Sequence, residues 1–333
     1  MPKWARLALG LALLALVLWR LDLTLLLERV RQAAAVPLGL AAAWTFLEYL
    51  VMSLLTCYLV STLPFALSFR QALRLNTASV SLGFLLPSRL GHLAGRPVLY
   101  QYSLAPPPGL ARAGGLVLAE LVPDALRQTL LGLAVLVAYH SLLPSAALAL
   151  LVPSAAVYCL GSLILVLGVS RPTLLAWGLA LVNRLARLCR LDRLDLARRL
   201  LAKGAEVLEL VQGGAASVVG QRRHFTLYAL LAMAKAVLFQ SFRLHLVLSA
   251  LGATLPWHLL ILLPSVIYSV QILPFTVSGL GLAEVSGTLV LGSLGLSPET
   301  AFAAIFLDRV LSFYLPVACG APLLSSYLRR VKK

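Results

Sequence analysis

The sequence predicts an all-α polytopic membrane protein with about six full transmembrane helices and two broken or re-entrant helical elements. Three observations lead there. Hydrophobic residues fill 60% of the 333 positions and charged residues only 12%, for a mean hydropathy of +0.93, far above that of soluble domains. The apolar runs are continuous and Leu/Ala-rich with no period of two, which excludes a transmembrane β-barrel. From Gln128 to Ser170 the chain carries 43 residues without Asp, Glu, Lys or Arg, enough for the end of one helix, a turn and a complete return span.

The formal charge of +16 does not point to nucleic acid, because the basic residues lie mainly in short connectors and at the two ends. There they set topology and meet anionic lipid head groups. Cys57, Cys159, Cys189 and Cys319 are far apart with no CxxC, and no His stands at metal-ligand spacing. Neither disulfide, metal nor cofactor is expected.

Leu7 to Trp19 is apolar but makes only about 20 Å of helix, so it is read as a first span assisted by Trp4 and Trp19 as interfacial anchors. No small-residue cleavage site precedes Arg20, so the segment is expected to be retained. Asp22 to Ala35 puts Leu23, Leu26, Leu27 and Val30 on one face and Glu28, Arg29 and Arg31 elsewhere, the pattern of a helix lying at the interface. Pro37 opens the second span, which runs to about Thr62 and contains Glu48. A lone Glu in a span faces the bundle interior, as a buried hydrogen-bonded carboxyl or as a functional group.

Residues 71–102 are apolar enough to enter the membrane but too interrupted to cross as one helix, with Asn76, Ser79, Pro87, Arg89, Gly91, His92 and Arg96 among the interruptions. This is the first broken element. Pro106 to Pro108 form a stiff connector, since proline fixes φ and cannot continue a helix. Gly114 to Tyr139 is the third span, and Glu120, Asp124 and Arg127, spaced by four and seven, share one of its faces. A fourth span follows before Ser170.

Residues 171–223 form a basic amphipathic connector, with nine basic and four acidic residues between Arg184 and Arg223. The positive-inside rule makes it cytoplasmic, and anionic lipid is its expected surface partner. Phe225 to Leu251 is a further span in which Lys235 and Arg243 must pair, snorkel or face a cavity. The second broken element lies near residues 257–295. Its centre, ILPFTVSGLG, sits at Ile272–Gly281, where Pro274, Gly279 and Gly281 interrupt a run with no charge from Leu244 to Ala283. Backbone groups freed there cannot face lipid and must line a protein-enclosed or watery cavity; the alternative is a packed proline kink. Pro298 caps the last span, to about Tyr327, with Asp308 and Arg309 in it.

The whole is a single integral membrane domain over 1–333, with halves 1–170 and 224–333 flanking the connector and both termini cytoplasmic. LLPSRLG followed by Glu120 and ILPFTVSGLG followed by Asp308 suggest an inverted repeat, with 33 residues from Pro87 to Glu120 and 34 from Pro274 to Asp308. Chance similarity of leucine-rich stretches is the alternative.

PSRLGHLAGR, LPFTVSGLGLAE and LDRVLSFYLPVACG resemble the transmembrane region of the lysylphosphatidylglycerol synthase family, a flippase-like domain, over nearly the whole chain. Pro87, Arg89, Gly91 and Arg96 match the pattern of the first half, with His92 where a Glu is usual. Leu273, Pro274, Gly279, Gly281 and Glu284 match the second, with Ser278 in place of its first glycine; Glu120 and Asp124 match the third, with Leu121 in place of Arg. The resemblance implies movement of a phospholipid or lipid-linked glycan across a bacterial plasma (inner) membrane, and no lipid synthesis. Arg89 and Arg96, beside His92, would meet a phosphate, because guanidinium binds phosphate in a bidentate, charge-assisted way. Glu120, Asp124, Glu284 and Asp308, with Arg127 and Arg309 beside them, would balance those arginines or meet a cationic head group. Internal ion pairing is the alternative for each.

No Walker A motif occurs, so ATP hydrolysis by the chain itself is not expected. Two other classes stay open: a membrane scaffold for a lipid-synthesising enzyme, and a membrane-embedded head-group transferase. Against the latter, no nucleophile stands beside a base at recognisable spacing. A homo-oligomer is compatible with all three.

Overall fold

The computed structural model describes residues 3–85, 90–141, 143–170, 211–272 and 276–331. Most of the basic connector, together with Pro87, Arg89 and Pro274, lies outside them. The described chain is helical, as a backbone surrounded by hydrocarbon must be to satisfy its own polar groups.

Helix α1 (Lys3–Arg20) is followed by α2 (Leu23–Gln32), turned by 93° from it. Asp22 makes the corner: its backbone is extended, and its carboxylate accepts from the amides of Thr24 at 2.9 Å and Leu25 at 3.2 Å, capping α2. Helix α2 buries Leu26 and leaves Leu23, Leu27 and Val30 exposed, an open apolar face of the kind read from the sequence as interfacial. Helix α3 (Ala35–Val60) is the first long span; α4 (Phe69–Leu85) and α5 (Leu90–Ser103) are the two halves of the first broken element. Helices α6 (Leu110–Tyr139) and α7 (Ser145–Ser170) pack side by side as two further spans. Residues 211–219 are also helical, ahead of α8 (Arg222–Ala250).

The second broken element begins as α9 (Trp257–Ser269), tightens into 3₁₀ turns at Val270–Ile272 and Val277–Gly279, and resumes as α10 (Leu282–Ser293). Helix α11 (Pro298–Arg309) runs through a π turn at Val310–Tyr314 into α12 (Leu315–Val331). That turn falls just before Pro316, whose missing N–H breaks the regular ladder. Among the described residues, five segments are long and apolar enough to cross a membrane, the last being Pro298–Arg330; the bent α1–α2 pair is the sixth if counted as one span. The marginal member is the one whose apolar run is shortest.

Packing ties the halves together. Helix α3 lies against α8, α6 against α9, and α12 against α4, while within each half α5 packs on α6 and α10 on α11. One apolar core is built largely from α8 to α11; the other joins α3 to α6 with Leu324 and Tyr327 of α12. Close approach fixes two glycines. A Cβ on Gly320 would strike the Thr77 carbonyl of α4, and Gly281, at φ 79°, presses on the Gly10 carbonyl of α1.

Candidate functional site

Among the described residues, ten charged side chains lie inside the bundle and all of these are ion-paired: five cations (Arg96, Arg127, Lys235, Arg243, Arg309) and five anions (Glu48, Glu120, Asp124, Glu284, Asp308). They form four groups rather than one.

The first group hangs on Arg96, which α5 carries soon after the first break. Its Nε donates to Glu120 Oε2 at 2.6 Å and its Nη2 to Glu120 Oε1 at 2.7 Å, a bidentate pair with α6. Asn76 Oδ1 accepts from Nη2 at 2.8 Å and Ser79 Oγ from Nη1 at 3.0 Å, because the spacing of three on α4 points both at the guanidinium. Tyr100, one turn on from Arg96, donates to the same Glu120 Oε1 at 2.6 Å. Arg96 is thereby held almost entirely by protein groups.

The second group answers what becomes of the lysine and arginine inside α8. Glu48 of α3 accepts from Lys235 Nζ at 3.3 Å and from Arg243 Nη1 at 2.8 Å. Arg243 Nε reaches Asp308 of α11 at 2.7 Å, and Tyr268 of α9 donates to the other oxygen of Asp308. Lys235 and Arg243 are eight residues apart, on one helical face, so a single Glu can bridge them.

The third group closes the second break. Glu284 Oε2 accepts from the Gly281 amide at 2.8 Å, and its Oε1 lies 3.2 Å from Arg309 Nε and accepts from Tyr314 at 3.2 Å. Arg309 is fully buried and donates to the carbonyls of Gly279 at 3.2 Å and Ser278 at 3.4 Å. These are the backbone groups that the irregular segment frees, satisfied here by an arginine from the following span. Ser278 adopts φ 49°, unusual for a residue with a Cβ, and its hydroxyl donates to the Gly83 carbonyl of α4 at 2.6 Å. That bond links the two broken elements directly.

In the fourth group Arg127 of α6 donates from Nη2 to Asp124 at 2.6 Å, and from Nη1 to Ser265 Oγ of α9 at 2.7 Å and Gln240 of α8 at 3.3 Å. It lines a cavity of about 470 Å³ between α6, α8 and α9.

Of the residues singled out in the sequence, the structure therefore joins Arg96 to Glu120, Asp124 to Arg127 and Glu284 to Arg309, and gives Asp308 a partner in Arg243. Glu120 and Arg127 share a face but stand about 10 Å apart along the axis, and so join different groups. Gly91 lies near the start of α5, Gly279 and Gly281 end the second break with φ 71° and 79°, and the His92 side chain is outside what is described. Tyr100, Asn76, Tyr268, Gln240, Ser265 and Tyr314 were not assigned from sequence; only the period of three in Asn76 and Ser79 signalled a polar face. In both halves the helix after the break is ion-paired to the span that follows, Arg to Glu in the first and Glu to Arg in the second. No metal-ligand group of three His, Cys, Asp or Glu occurs among the described residues.

A family model described as "Lysylphosphatidylglycerol synthase TM region" matches residues 3–320. No curated protein and no solved structure matches the chain.

Proposed function

Because the chain belongs to the lysylphosphatidylglycerol synthase transmembrane-region family, we propose that it is a lipid transporter of the flippase or scramblase kind, moving a phospholipid or lipid-linked glycan head group while the acyl tails stay in the bilayer. The observation that carries this reading is reciprocal packing. Each half contains the run span, half-helix, break, half-helix, span, α3 to α6 in one and α8 to α12 in the other; the opening spans α3 and α8 pack on each other, and the closing spans α6 and α12 pack on the leading half-helices α9 and α4 of the other run. Treated as re-entrant, α4–α5 returns to the side it entered from, and α6 and α7 then cross in turn. On that reading the second copy begins from the opposite side and the repeat is inverted. Inverted repeats with paired interrupted helices hold substrate sites near the midplane of secondary transporters.

In this reading Arg89, His92 and Arg96 serve the phosphate. Arg96 does so by exchanging partners with Glu120. Glu284 and Arg309 shape the second break, Asp308 balances Arg243 beside it, and Asp124 and Arg127 flank the path. The protein acts as a carrier rather than a transferase, in a plasma membrane with both termini cytoplasmic.

The test is translocation of fluorescent lipids of several head groups in proteoliposomes without nucleotide, wild type beside Arg89→Ala. Transfer by the wild type, lost in a variant that melts at the same temperature, is the expected result. Absence of transfer with every head group would overturn the reading in favour of a scaffold for a lipid-synthesising enzyme, which a fully paired set of buried charges would equally suit.

A further inference from the structure

Buried polar atoms in a bundle of this kind find partners, because water is absent and an unmade hydrogen bond is costly. Two that have none among the described residues, Arg127 Nε and Ser241 Oγ, belong to residues that line the same cavity. Both residues are deeply buried, Arg127 at 2% exposure and Ser241 at 3%. The walls beyond them are apolar, and Leu130, Leu238 and Trp257 leave the cavity's rim exposed on the flank of the bundle. The space is thus a lateral cleft with an apolar surface, the two unpartnered polar atoms lying behind its wall, and its volume of about 470 Å³ lies in the range of small-molecule sites.

Depth gives the cleft its meaning. Arg127 is 17 residues from the start of α6 and 12 from its end, about 25 and 18 Å of helix, so its guanidinium belongs near the middle of the hydrocarbon. A lipid at rest in either leaflet keeps its phosphate at the interface. Only one in passage places it at that depth.

We propose that this cleft is a lateral binding site for a phospholipid in transit, its phosphate oxygens accepting from Arg127 Nε and Ser241 Oγ and its tails leaving between Leu130 and Leu238; the assignment rests on the transport reading above. Phosphate suits these two groups because it offers several acceptors to one guanidinium and a hydroxyl, and a charged acceptor makes the stronger bond. Asp124 and Ser265 hold the Nη end of Arg127, which leaves Nε as the group still to be satisfied. Binding requires the wall over these two atoms to open, and Met233, an unbranched and flexible side chain among the lining residues, is suited to give way.

The full chain in lipid nanodiscs, given a phospholipid with a photoactivatable group in its acyl chain and the matching diacylglycerol, tests this by peptide mapping of the adducts. Adducts confined to residues 130–131 and 233–241, and about tenfold fewer with the diacylglycerol, are expected if the charge-assisted bonds hold the head group. Ala234→Trp, which fills the cleft from its rim, removes them; so does the pair Asp124→Asn with Arg127→Gln, which leaves no lone charge buried. Adducts spread evenly over the lipid-facing helices, equal for both probes, or unchanged in Ala234→Trp would overturn the site. Translocation on the same samples separates the two claims. Cleft adducts without transfer of any lipid would sink transport alone, and full transfer in an Ala234→Trp protein without adducts would sink the cleft alone.

Discussion

At the residue scale, the interior is organised by the cost of an unpaired charge. Removing one partner of a buried pair costs about 3–5 kcal/mol, whereas replacing both by apolar groups of similar volume is near neutral. Glu120→Gln is therefore expected to destabilise by about that much, and Arg96→Met combined with Glu120→Leu to recover most of the loss, measured by thermal unfolding in detergent. Ser278 offers a sharper comparison. Its left-handed backbone costs on the order of 1 kcal/mol and its hydroxyl bond to Gly83 returns about as much. Ser278→Ala keeps the strain and loses the bond, so it should lower stability by about 1 kcal/mol, while Ser278→Gly loses both and should stay close to wild type. Equal losses in the two variants would show that the bond, and not the backbone, decides. Ser278 stands out in the sequence only where the resemblance expects glycine; its partner across 195 residues has no local signal.

At the scale of elements, patterning does most of the work. The apolar runs, the capping Asp22 and the proline and glycine interruptions place the helices and both breaks. The corner at Asp22 depends on its two amide bonds, and Asp22→Ala should cost the bent pair about 1 kcal/mol, read as earlier unfolding of α2 by hydrogen exchange. Packing of α12 on α4 depends on absence of a side chain at Gly320. Gly320→Val should force the helices apart and lower stability by about 1–3 kcal/mol, and a loss below that range would mean that α4 can give way. Less legible was the π turn at Val310–Tyr314, since Pro316 announces a disturbed ladder without saying whether the helix will kink, stop or widen.

For the whole molecule, the two broken elements meet at Ser278 and Gly83. A disulfide between Gly83→Cys and Ser278→Cys is expected to hold them together, abolishing lipid transfer when oxidised and restoring it when reduced; transfer unaffected by the crosslink would show that the breaks do not move apart during the cycle. What the sequence by itself determined is that the chain is a helical, multi-pass membrane protein with two interruptions and charges that must find partners, because hydrocarbon leaves the backbone no alternative to helices and makes a lone charge prohibitive. Only the tertiary structure decided which charge meets which. Spacing along one helix assigns a face, but the identity of the neighbour on that face depends on how α3, α6, α8 and α9 cross. Glu48 thus bridges two cations of α8, Arg309 holds the carbonyls of a break thirty residues earlier, and Arg127 lines a cleft that no stretch of sequence contains.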